Sequence, residues 1–206
     1  MSKNLKSHWD EVYKTKNFEE VSWFQAEPET SIQFFEKLKL PKTASIIDMG
    51  AGESRFVDYL LDKGYSNITL VDISEEALNK TKARLGTKGE ALKYIVADAA
   101  KFKTTEKYDF WHDRATFHFL TEIEDIEYYT QNICRSLNSK AYFLIGTFAE
   151  GGPKSCSGLE ISQYSADDLS EVFARCLTQE KSLKATHKTP NGTVQKFTFC
   201  LFKYDG

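Results

Sequence analysis

Ser45-Ile46-Ile47-Asp48-Met49-Gly50-Ala51-Gly52-Glu53-Ser54-Arg55-Phe56-Val57 decides the fold of this chain. A short apolar run ends in an acid, two glycines follow with one residue between them, and an amphipathic segment begins. The pattern reads as a first parallel strand, a tight turn and a helix start. Such a turn aims backbone N–H groups and the positive end of a helix at one spot. Gly50 and Gly52 lack a Cβ, so a ligand can lie against the backbone there. A dinucleotide fingerprint needs a further glycine or alanine three residues after the second glycine. That position is Arg55. The acid Asp48, just before the turn, also suits a ligand carrying a positive amine better than a pyrophosphate.

Outward from this turn, strands and helices alternate. Strand 1 is expected over residues 45–49 and a helix over 54–63, with Gly64 at its C-terminal cap. Strand 2 spans 68–71 and ends in Asp72. Ser74-Glu75-Glu76-Ala77 then opens a helix reaching Leu85, with Ser74 as N-cap. Strand 3 covers 91–96 and strand 4 covers 108–111, leading into His112-Asp113-Arg114. A helix over 124–137, a strand over 141–147, a loop over 151–158 and a short helix over 167–174 follow. The tail from Cys176 to Tyr204 reads as two strands joined at Thr189-Pro190-Asn191-Gly192. The fold class is therefore α/β, a doubly wound and mainly parallel sheet with a C-terminal antiparallel hairpin. Upstream, residues 31–38 read as a helix stopped by Pro41. Residues 1–30 are polar with interleaved Trp9, Tyr13, Phe18, Trp23 and Phe24, either an arm anchored to the core or a lid over a pocket.

The net charge of −3 over 206 residues argues against general affinity for nucleic-acid phosphates. No apolar run reaches transmembrane length, and the N-terminus has no apolar signal core. A cytoplasmic protein is expected, as monomer or dimer, without a membrane partner. Cys134, Cys156, Cys176 and Cys200 form no C-x-x-C pair; each reads as a buried reduced thiol, and no metal site is expected.

Asp48, Asp72, Asp98 and Asp113 fall at or just past the ends of four successive strands. Ligands of open α/β sheets sit outside those ends. Asp72 follows Gly50 by 22 residues, near the spacing at which an acid accepts ribose hydroxyls. Each acid could also be a local turn or helix-start residue.

From Trp9 to Tyr204 the chain resembles a class I, Rossmann-like S-adenosylmethionine-dependent methyltransferase. The resemblance rests on motif I (Asp48 to Gly52), Asp72, Ala97-Asp98 and the segment Trp111-His112-Asp113-Arg114-Ala115-Thr116-Phe117-His118-Phe119-Leu120. That segment, Gly152-Pro153-x-x-Cys156-Ser157-Gly158-Leu159 and Thr186-His187-x-Thr189-Pro190-x-Gly192-x-x-Gln195-x-Phe197 look like small bacterial methyltransferases similar to the citrate synthase lysine methyltransferase. The resemblance implies a seven-stranded sheet with helices on both faces. It implies one methyltransferase domain over 1–206, with 1–40 as cap arm and helix and 41–206 as core.

It also implies S-adenosyl-L-methionine as cofactor. Asp48 would meet its amino group, and Gly50, Ala51 and Gly52 its methionine part. Asp72 and Ile73 would hold ribose and adenine, with Asp98 and Ala99 at the adenine edge. Asp113 and Arg114 would sit by the sulfonium, with Trp23 closing over it. A protonated amine acceptor must lose a proton, and Asp113 and His118 are the candidate helpers. His118 could equally be a packing histidine, Arg114 a structural ion-pair partner, and His112 is read as structural. The expected activity is methyl transfer to a nitrogen, oxygen or sulfur of a small molecule or a protein lysine. The competing readings are a non-catalytic cofactor-binding regulatory protein and a nicotinamide-dependent oxidoreductase, the latter disfavoured by Arg55.

Overall fold

The computed structural model describes residues 2–206. The first parallel strand is β1 (Ile46–Met49), flanked by β2 (Ile68–Asp72) and β4 (Tyr108–Arg114), with β3 (Lys93–Val96) beyond β2. On the other side come β5 (Leu137–Phe148) and, antiparallel, β9 (Val194–Tyr204) and β8 (Leu177–Lys188). The seven-stranded order is β3-β2-β1-β4-β5-β9-β8. Strands β2 and β3 are added on one side of β1 and β4 and β5 on the other, so the order switches between the parallel pair β1 and β4 and opens a crevice at their C-terminal ends.

β1, β2 and β4 are largely buried on both faces, and β1 and β2 read as apolar runs ending in or near an acid for that reason. Their side chains alternate between two cores. Ile47, Met49, Trp111, Phe143 and Phe202 face α5 (Ile123–Ser136) and α6 (Ala166–Phe173). Ile46, Phe110, Leu144 and Phe199 face α2 (Glu29–Leu38), α3 (Phe56–Asp62) and α4 (Glu75–Leu85). Ser74 caps α4 as expected, its hydroxyl accepting from the Ala77 N–H. Lys39, in a left-handed conformation, ends α2 ahead of Pro41.

Several boundaries move. Helix α3 starts at Phe56, later than the sequence pattern indicates, with Ser54 Oγ accepting its N–H at 3.1 Å. β4 runs on through Arg114, because His112 and Asp113 pair with Asp48 and Met49 of β1. The 151–158 loop contributes to a two-stranded hairpin of β6 (Ser155–Cys156) and β7 (Leu159–Glu160). The cysteine expectation is corrected in part. Cys134 at the end of α5 and Cys176 before β8 are joined as a disulfide, while Cys156 and Cys200 are free and buried. Separation in sequence hid the pairing; the fold brings their Cα atoms to 5.9 Å.

The N-terminal arm is α1 (Ser2–Thr15), which packs on α4. Asp10 accepts from Ser74 Oγ at 2.7 Å, and Lys80 Nζ donates to the Tyr13 carbonyl. No helix of the described residues is long and apolar enough to cross a membrane.

Phe56 ties α3 to the sheet: it is fully buried, 5.7 Å from Phe35 and 4.3 Å from His112, ring to ring. Phe56→Ala is expected to cost about 3–5 kcal/mol of unfolding free energy, read as a lower urea midpoint with an unchanged slope.

Candidate active site

The crevice at the β1/β4 tips is a cleft floored by the Gly50–Ala51–Gly52 turn and roofed by the N-terminal arm. The turn is held tightly to β2. The N–H groups of Gly50 and Ala51 both donate to the Val71 carbonyl (2.7 and 3.0 Å), and Gly52 N–H donates to Asp72 Oδ2 at 2.8 Å. These groups are thus engaged within the protein rather than free, as the turn alone had implied. Gly50 and Gly52 have φ of +68° and +48°, and a Cβ at either would overlap Thr116 Oγ1 or Tyr13 Oη. Only glycine fits both demands.

Asp48 is 2 % exposed. Its Oδ1 lies 2.6 Å from His112 Nδ1, and His112 Nε2 lies 2.9 Å from Ser31 Oγ. A carboxylate only accepts, so Nδ1 carries the imidazole proton toward Asp48. The other carboxylate oxygen, Oδ2, is buried without a partner beside the cleft. Asp72 accepts from Gly52 N–H and, through Oδ1, from Ser74 N–H at 2.8 Å. Burial pushes its carboxyl up to about 6, against the pull of those two N–H groups.

The roof is aromatic. Trp9 meets Trp23 at 5.8 Å and Phe119 at 5.2 Å, and Tyr13 meets Trp23 at 6.2 Å. These rings line the cleft while also anchoring the arm, so the two readings of the N-terminal aromatics describe one structure. At the far side, Arg114 lines the cleft with Phe148 and Phe197. Its Nη1 donates to the Trp23 carbonyl at 3.1 Å.

Of the residues singled out from sequence, Trp23, Asp48, Gly50, Ala51, Gly52, Asp72, Ile73, Ala99 and Arg114 line this one cleft. Three do not. Asp113 neighbours His112 and Arg114 on β4 and therefore points to the opposite face. There it is fully buried, accepting from Tyr129 Oη at 2.5 Å and from the N–H groups of Thr116 and Phe117. Burial raises its carboxyl to about 6. His118 lies within a short 3-10 turn, residues 117–119, and shares no helix face with Arg114. It is sealed against Phe148 at 4.5 Å, nearly parallel, and burial followed by the nearby Arg114 charge takes its imidazole down to about 3. Asp98 turns back to accept the Ala100 N–H at 3.0 Å; its neighbours Ala97 and Ala99 line the cleft instead.

The cleft also contains residues that sequence reasoning passed over. His112 was read as structural, although two-residue alternation with Arg114 puts both on one face of β4. Thr116 and Phe197 fall inside the motif segments but were given no role there, and Phe148, from a strand distant in sequence, has no local mark.

The methyltransferase domain family matches residues 46–140. The chain is similar to human EEF1A lysine methyltransferase 2, 30% identical over 155 residues that cover 68% of this chain and 66% of that protein. The chain thus spans a little under two thirds of that relative's length. It is also similar to malonyl-[acyl-carrier protein] O-methyltransferase 2 of Ilyobacter polytropus, 35% identical over 77 residues, 37% of this chain and 29% of that one. A solved S-adenosylmethionine-dependent methyltransferase from Anabaena variabilis superposes with a TM-score of 0.75 at 13% identity, covering 98% of this chain and 94% of that one, a likeness of fold. The chain belongs to the class I S-adenosylmethionine-dependent methyltransferases, with S-adenosylmethionine as cofactor. The cleft fits that group: a buried, unpartnered carboxylate oxygen on Asp48 awaits a donor, and the two glycines keep its floor clear of side chains.

Because Asp113 is sealed with Tyr129, Tyr129→Phe is expected to lower unfolding free energy by about 1–3 kcal/mol. The dissociation constant for S-adenosylhomocysteine, measured by calorimetry, is expected to stay within about twofold.

Proposed function

We propose that this chain transfers the methyl group of S-adenosylmethionine to a nitrogen, oxygen or sulfur nucleophile that reaches the cleft already deprotonated. The observation that carries this reading is the division of the cleft. Its acids, Asp48, Glu53 and Asp72, belong to β1, the end of the glycine turn and the β2 tip, whereas the opposite end presents Arg114 among aromatic rings. His112 has both ring nitrogens engaged.

When bound, the cofactor supplies an electrophilic methyl on a positively charged sulfur. Asp48 Oδ2 is the acceptor for its amino group, and His112 fixes the Asp48 carboxylate through Oδ1. Asp72 is the acceptor for the ribose hydroxyls, with Ile73 and Ala99 against the adenine. Trp9, Trp23 and Phe119 exclude water and offer ring faces to a cation. Positioning and water exclusion then carry the rate, an effect worth roughly 7–11 kcal/mol for well-held reactants. Arg114 lowers the proton affinity of any acceptor beside it, so no base is required among the cleft side chains. Asp113 and His118 act on the fold around the site.

Residues 1–40 form the cap of one catalytic unit whose core is 41–206, and a cytoplasmic setting, as monomer or dimer, is part of the same proposal. The name of the human relative directs attention to a protein lysine as acceptor, so lysine peptides belong in the panel beside small acids, thiols and amines. The test is conversion of S-adenosylmethionine to S-adenosylhomocysteine by the purified chain with that panel and with host lysate split into protein and small-molecule fractions. A product one methyl heavier is expected in one fraction; cofactor binding without turnover on either would favour a regulatory protein.

Asp72→Asn is expected to weaken S-adenosylhomocysteine binding by about 1.5–3 kcal/mol, through loss of charge-assisted hydrogen bonds. The free carboxyl titrates near 6, and ribose hydroxyls favour its ionised form. Affinity should therefore be level above about pH 7 and fall roughly tenfold per unit below pH 6 in calorimetric titrations. In Asp72→Asn that pH dependence disappears.

A further inference from the structure

Arg114 is a cation without a counter-ion. Nη1 is committed to the Trp23 carbonyl, Nη2 is buried with no hydrogen-bond partner, and among the described residues the guanidinium forms no ion pair. The Asp48 carboxylate acts on it through its field without forming an ion pair, and the groups in direct contact with it are neutral. The Phe197 ring lies 5.6 Å from its Cζ. His187 has both nitrogens engaged, Nε2 donating to the Ser22 carbonyl at 2.9 Å and Nδ1 lying 3.4 Å from the Gln25 amide. Burial followed by the Arg114 charge lowers the proton affinity of His187, so it adds no second charge. Removing a guanidinium from water without an ion pair is costly, and burial brings it down to about 10 against the opposing pull of the Asp48 charge. A side chain held in that state is poised for an anion that arrives with a ligand.

Position along the sheet indicates which ligand. Asp48 and Asp72 are on β1 and β2. Arg114 is two residues beyond His112 at the end of β4, paired with Gly146 of β5, and with Phe148 and Phe197 it lines the β5/β9 side of the cleft. We propose that the acceptor is a small acid whose anionic oxygen is held by Arg114 Nη2, with Phe148 and Phe197 against its apolar body. The proposal rests on the methyl-transfer reading only in naming this ligand the acceptor. The Nη1 bond to the Trp23 carbonyl fixes the guanidinium plane, so closure of the aromatic roof and presentation of Nη2 are one arrangement.

The test is a binding measurement. The protein saturated with S-adenosylhomocysteine is titrated with benzoate and with benzamide, its neutral near-isostere, following the fluorescence of the cleft residues Trp9 and Trp23. Benzoate is expected to bind at least tenfold tighter, about 1.4 kcal/mol. In Arg114→Gln that preference should vanish while benzamide binding is retained; Arg114→Lys should keep part of it. Equal binding of the two probes, or no saturation by benzoate below about 10 mM, overturns the proposal. So does a loss of tenfold or more in S-adenosylhomocysteine affinity in Arg114→Gln with 5′-methylthioadenosine unaffected, which would assign Arg114 to the cofactor's own carboxylate. Tighter binding of butylammonium than of benzoate overturns it in favour of an amine acceptor. If Arg114→Gln fails to fold by circular dichroism, the wild-type comparison decides alone. Failure of S-adenosylhomocysteine to bind at all would instead sink the methyl-transfer reading.

Discussion

The site depends on one buried hydrogen-bond chain, Ser31–His112–Asp48. It crosses from α2 through β4 to β1, and its middle member sits directly opposite Asp48 in the parallel register. A carboxylate at 2 % exposure would be untenable alone. The imidazole satisfies one oxygen and leaves the other facing the cleft unpaired. Buried polar networks of this kind have one well-satisfied arrangement, which is how they impose geometry. The glycine turn follows from it, since Asp48, Met49 and Gly50 are consecutive and the turn is pinned to β2 by Val71 and Asp72.

A strand tip gives opposite fates to adjacent residues. Along β4, His112 and Arg114 reach the cleft, while Trp111 and Asp113 enter the core shared with α5 and α6. Asp113 is no less buried than Asp48, yet its partners are Tyr129 and two backbone N–H groups, so it stabilises the β4 exit rather than facing the cleft. The result is a cleft of divided charge, acids toward β1 and β2 and a lone guanidinium toward β5 and β9. The aromatic roof spans both, because Trp23 packs on Trp9 and Tyr13 while its carbonyl receives Arg114.

The strands, the terminal hairpin and the position of the cleft were legible because the chain marks them locally. Asp48-x-Gly50-x-Gly52, the Ser74 cap and the hairpin turn at Asn191-Gly192 each act over a few residues. What was not legible depends on partners far away in sequence. Asp113 and His118 look like site residues until Tyr129 and Phe148 arrive from α5 and β5. The Cys134–Cys176 pairing requires knowing that the end of α5 and the start of β8 are neighbours. Phe197 enters the cleft from the last strand; its motif marks the hairpin, and only the fold shows that its ring reaches the cleft. His112 was within reach: on a strand extended by three residues, alternation alone sets it beside Arg114 and opposite Asp113.

The central claim is that the hollow formed by Asp48, the glycine turn and Asp72 accepts a sulfonium nucleoside and rejects a dinucleotide. Calorimetric titration of the unmodified chain with S-adenosylmethionine, and separately with oxidised and reduced nicotinamide dinucleotides, asks this directly. Saturable one-to-one binding of S-adenosylmethionine, with no heat of binding from either nicotinamide form, is the predicted result. Binding of a nicotinamide form in the absence of S-adenosylmethionine binding would contradict it.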